Sequence, residues 1–156
     1  MIRELRRNGA QPRDTMHKAG AAMVTGMGVV IKDQATVVFP SAETSANIYF
    51  VTKERIPTGV NAARQDMSDY DDNFVNIEKG EFVGLERYTD GEKLATDQFK
   101  TSDFNGDLKG KPVAIGADGK WMKATKPSKY VFEDFHMDNG HKLVMVRVEA
   151  DAVAVD

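Results

Sequence analysis

A chain of 156 residues, with 41% hydrophobic and 29% charged residues and a formal net charge of −3, has the make-up of one globular domain. That mildly acidic balance supplies no general attraction to nucleic acid or to anionic membranes. The absence of cysteine excludes thiolate nucleophiles, disulfide scaffolds and cysteine-ligated zinc, so the fold has to close by packing.

The first seven residues, from Met1 to Arg7, lack the apolar stretch that follows the basic start of a signal peptide, and no apolar run approaches the roughly 18 residues of a membrane span. Residues 1–20 carry Arg3, Arg6, Arg7, Arg13 and Lys18 against only Glu4 and Asp14, and are broken by Gly9, Pro12 and Gly20. This pattern predicts an extended basic arm, with at most one helical turn between Ile2 and Arg7, joined to a β-rich body over 21–156. With that boundary, removing residues 1–18 is expected to leave the body folded.

From Met23 the character changes. Met23, Val24 and Val29 to Ile31 lead through Lys32-Asp33-Gln34 into Ala35 to Phe39, a hairpin rich in β-branched residues. The apolar run from Ala46 to Thr52 predicts a strand buried on both faces, closed off by Pro57 and Gly59. Residues 60–73 suggest a short helical turn and then an exposed acidic loop holding Asp66, Asp69, Asp71 and Asp72.

In the second half, short strands are expected at Phe74–Ile77, Glu81–Tyr88, Glu92–Phe99, Lys111–Ile115, Lys120–Ala124 and Lys129–Phe132, separated by glycines. The clearest strand runs through Leu143, Val144, Met145, Val146 and Val148 after an Asp138-Asn139-Gly140 hairpin signal. No stretch is long enough for the helix of a βαβ crossover. The fold class is therefore all-β, a small antiparallel barrel or sandwich with an extended N-terminal arm.

Candidate chemistry is sparse. His136 and His141, with Asp134 and Asp138 nearby, contain the donor types of a zinc site, but the intervening turn signal favours a solvated hairpin. Asp103, Asn105 and Asp107 copy the opening spacing of a calcium loop, yet Leu108 stands where glycine is needed and Ala114 where glutamate is needed. No cofactor or metal is expected. The chain has no nucleophile elbow, phosphate loop or dinucleotide fingerprint, and no spacing singles out a carboxylate pair for hydrolysis, so a catalytic role is not expected either. Trp121 enters a strand straight after a turn and fits either a core ring or an exposed anchor.

The stretch from Ile77 to Ala124 resembles a phage head decoration protein. Glu78-Lys-Gly-Glu-Phe-Val83 begins a strand, Asp90-Gly91-Glu92 turns, and Lys109-Gly-Lys-Pro-Val113 precedes Gly116-Ala-Asp-Gly-Lys-Trp121. The resemblance implies a protein made in the bacterial cytoplasm that coats the outer capsid surface of the virion. Its partner would be the major capsid protein, which it would bridge as a homotrimer, and neither membrane nor nucleic acid would be involved. The basic residues Arg3, Arg6, Arg7, Arg13 and Lys18 are the expected capsid-binding set. Two alternatives remain: a head-fibre or tail-associated structural β-domain, or a small β-barrel that binds nucleic acid through the arm.

Overall fold

The computed structural model describes residues 1–9, 14–53 and 72–155. Its strands in the first half are β1 (Ile2–Arg6), β2 (Lys18–Ala19), β3 (Met23–Val24), β4 (Gly28–Ile31), β5 (Thr36–Val38) and β6 (Tyr49–Lys53). A single turn of helix, α1 (Asp72–Val75), then leads into β7 (Asn76–Ile77), β8 (Val83–Glu86) and β9 (Lys93–Thr96). The chain closes with β10 (Val113–Ile115), β11 (Trp121–Lys123), β12 (Ser128–Asp138) and β13 (His141–Val153). The fold is all-β. Of the strand expected over Phe74–Ile77, Asn76 and Ile77 are extended as β7, whereas Phe74 and Val75 belong to α1, which begins at Asp72, a carboxylate that complements the positive end of the helix.

Two sheets dominate, a four-stranded one in the order β1-β9-β13-β12 and a five-stranded one in the order β2-β5-β4-β6-β8. Among the described residues no closed barrel is found. The gap between the outer strands β2 and β8 is spanned by isolated bridges, Asp14 to Leu85 and Lys18 to Phe82, and by the Ala19 N–H, which donates to the Glu81 carbonyl at 2.9 Å.

Strand β6 explains how the halves pack. Its neighbouring residues Phe50 and Val51 point to opposite sides, as successive residues of a strand must, and both are fully buried. Phe50 joins a core with Leu94, Ile115, Trp121, Phe132 and Val146, beneath the four-stranded sheet. Val51 joins a second core with Val29, Val37, Val83 and Leu85, inside the five-stranded sheet. The continuous apolar run of this strand thus reflects burial on both faces. The β12–β13 hairpin turns at Asn139 and Gly140, with φ of 49° and 84°, the positive pair that an Asn-Gly turn of the primed type requires.

The N-terminal residues are extended, but they are paired into the body. β1 runs antiparallel to β9, with Ile2 opposite Thr96 and Glu4 opposite Leu94, while Leu5 is the extra residue of a bulge. Ile2 packs on the main core, and Met1 is buried with Ala95 and Leu143. Further on, Lys18 and Gly20 donate their N–H groups to Ala35 and Val37 on one side, and the carbonyls of Asp14 and His17 accept from Leu85 and Val83 on the other. Residues 14–20 therefore join both margins of the five-stranded sheet.

Candidate interaction surface

The five cations expected to act together are placed in different surroundings. Arg3 Nε donates to Asp138 Oδ2 at 2.7 Å, which ties β1 to the tip of the β12–β13 hairpin. Arg7 lies over the Tyr88 ring at 4.2 Å, donates from Nη1 to the Arg87 carbonyl at 3.1 Å, and sits 3.5 Å from Glu92 Oε2. Arg6 is exposed on β1 across from Lys93, whose own ammonium is held 2.5 Å from Glu133 Oε1. Lys18 is exposed and places its ammonium 4.8 Å from the centre of the Phe82 ring. Arg13 lies outside the described residues.

Arg3 and Arg7 are thus matched by carboxylates of the chain itself, while Arg6 and Lys18 face solvent. Apolar side chains accompany the exposed pair. Leu5 is 38% exposed beside Arg6, and Phe82, which the Lys18 ammonium covers, is 53% exposed. β1 is also a terminal strand of its sheet, so its outer backbone edge has no strand neighbour among the described residues. An edge of this kind can add a strand from another chain.

A residue not singled out by sequence organises this surface. Glu92 is fully buried, yet each carboxylate oxygen is satisfied: Oε1 accepts the N–H of Asn8 at 2.8 Å and Oε2 that of Thr89 at 2.7 Å. Burial raises the pKa of this carboxyl, but the two N–H donors and the Arg7 charge outweigh it, and the net shift is downward. The Asp90-Gly91-Glu92 turn signal marks the place without revealing that the acid faces inward. Tyr88 beside it is pushed far above its ordinary pKa, chiefly by burial and then by the Glu86 carboxylate, which accepts from its hydroxyl at 3.3 Å.

The loop acids serve local turns. Asp103 Oδ1 accepts from Ser102 Oγ at 3.0 Å, Asn105 Nδ2 donates to the Ser102 carbonyl at 3.1 Å, and Asp107 Oδ1 accepts the Lys109 N–H at 3.4 Å. Asp134 pairs with Lys109 at 3.3 Å, and the Phe135 N–H and this lysine hold its carboxyl below the usual range. His136 and His141 stand opposite Leu143 and Asp138 along the hairpin, and among the described residues no group of three or more acidic or imidazole side chains is placed to hold a metal. Asp66, Asp69 and Asp71 lie outside the described residues, and Asp72 opens α1. Trp121 is a core ring, stacked on Phe50 at 5.6 Å and edge-on to Tyr130 at 5.2 Å.

Comparison with protein-family models, with curated proteins and with solved structures finds no match in any of the three. Among the described residues no helix is long and apolar enough to cross a membrane.

Proposed function

We propose that this chain is a virion structural protein that binds the outside of a phage head and stabilises contacts between major capsid subunits. The observation that carries the proposal is β1, a terminal strand with no strand neighbour on its outer side among the described residues, flanked by the exposed Leu5 and Arg6. A strand of the major capsid protein would add to that edge through backbone hydrogen bonds, and Arg6 and Lys18 would meet acidic groups of the shell. Copies associated as a homotrimer would combine modest contacts into firm attachment. The work is mechanical, and neither a cofactor nor a catalytic group enters it.

A nucleic-acid role draws less support, because Arg3 and Arg7 are already matched by Asp138 and Glu92. Of the N-terminal cations, Arg6 and Lys18 are exposed, and these two would release only about two counterions from a phosphate backbone, a weak electrostatic anchor. Cosedimentation with purified phage heads and with oligonucleotides, in parallel, tests the proposal. Saturable binding to heads alone is expected, and binding to oligonucleotides without binding to heads overturns it.

A further inference from the structure

A cleft of about 590 Å³ opens between the loop at 45–48 and the turn at 87–90, the turn whose Arg87 and Asp90 carbonyls accept hydrogen bonds from Arg7 and Asn8. Its apolar lining includes Ile48 and the ring of Tyr130, both buried, and its charged lining is Arg87, Asp90 and Lys129. Asn47 at the lip has a φ of 54°, a conformation asparagine tolerates better than most residues and one that recurs where a loop is shaped for contact.

The charges in this cleft are unequal. Lys129 and Asp90 approach each other at 3.6 Å with both side chains about half exposed, so that pair is largely solvated. Arg87 is exposed, its guanidinium lies 5.9 Å from the Tyr49 ring centre, and among the described residues no carboxylate pairs with it. Two cations against one carboxylate leave the lining one positive charge in excess. The Tyr130 hydroxyl adds a donor: burial pushes its pKa up, with the nearby Arg87 charge opposing, to about 12, so the phenol keeps its proton at neutral pH.

We propose that this cleft takes a carboxylate side chain carried on an extended acidic segment of a partner protein, with Arg87 as its bidentate partner, Lys129 as second cation and Tyr130 as hydroxyl donor. A planar monoanion suits the fork of an arginine and the single excess charge. A phosphate dianion would meet Asp90 at close range, and a basic segment would meet Arg87. The inference does not depend on the phage-head proposal, since any acidic partner segment satisfies it.

The sole tryptophan, Trp121, touches Tyr130 and reports on the cleft through its fluorescence. The full chain is titrated with an acetylated, amidated hexapeptide alternating glycine with aspartate or glutamate, with the lysine counterpart, and with inorganic phosphate. Amide chemical shifts of residues 45–48 and 87–90 are followed in the same titrations. A saturable response to the acidic peptide is expected, weakened about tenfold by Arg87→Ala, as loss of a charged bidentate hydrogen bond requires. Arg87→Lys should recover only part of that loss, and raised salt should weaken binding. The proposal is overturned if neither signal responds to the acidic peptide, if Arg87→Ala binds it equally well, or if inorganic phosphate or the lysine peptide binds as tightly.

Discussion

The Glu92 carboxylate accepts the Asn8 N–H at 2.8 Å from a position with no solvent exposure, so the end of the basic N-terminal strand is anchored from inside the body. Replacing Glu92 by Ala strands the N–H groups of Asn8 and Thr89 and removes the partner of Arg7. A loss of about 2–4 kcal/mol is expected from a buried acceptor with charged and backbone donors, measured by denaturant unfolding.

The same carboxyl sets an acid limb. Its pKa in the fold lies below the ordinary glutamate value of about 4.3, so the stability it contributes is fully present above that value and is lost as pH falls through the lowered one. Between about pH 5 and pH 3, Glu92→Gln should therefore lose stability less steeply than the parent chain, while being less stable at pH 7. Equal slopes for the two proteins would show that folding leaves the Glu92 pKa unchanged.

Removal of residues 1–18 should destabilise the body, because it takes away the β1–β9 ladder, the buried Met1 and the strap at Asp14 and His17 that meets β8. Loss of several kcal/mol corresponds to a fall in Tm of about 10 °C or more for a chain of this size. Calorimetry of the truncated protein checks this, and an unchanged Tm would mean that these pairings contribute nothing.

Gly119 and Gly140 separate two effects that usually occur together. Both have positive φ, 73° and 84°, but a Cβ at Gly140 would meet open space, whereas one at Gly119 would lie 2.7 Å from the Phe39 ring. Gly140→Ala should cost about 1 kcal/mol from backbone strain alone. Gly119→Ala should cost roughly 1–3 kcal/mol more through overpacking, and similar values for both in chemical denaturation would contradict this.

Local signals revealed much of this fold, and long-range pairing supplied the rest. The Asp138-Asn139-Gly140 signal marks a real hairpin because a primed turn needs two residues that accept positive φ, and that demand is written in two adjacent letters. The apolar run of β6 likewise announces a strand between two cores. β1 was not legible: Ile2 to Arg6 has neither alternation nor strong strand propensity, and it is a strand because Leu94, Ala95 and Thr96 lie beside it from far along the chain. Glu92 was hidden for the same reason, since an acid in a turn is ordinarily solvated and only the fold brings Asn8 and Arg7 to it. Of the expected cationic set, composition showed the charges but not that Arg3 and Arg7 find carboxylates within the chain.

The central proposal is that β1 offers its outer edge to the phage head, and hydrogen exchange at the amides of residues 2–6, with and without saturating purified heads, tests it most directly. The proposal requires slower exchange at outward-facing β1 amides on the head, and Arg6→Glu should weaken attachment while leaving the unbound Tm nearly unchanged, as expected for an exposed position. Heads that bind the protein to saturation while every β1 amide exchanges as it does in the free chain would contradict it.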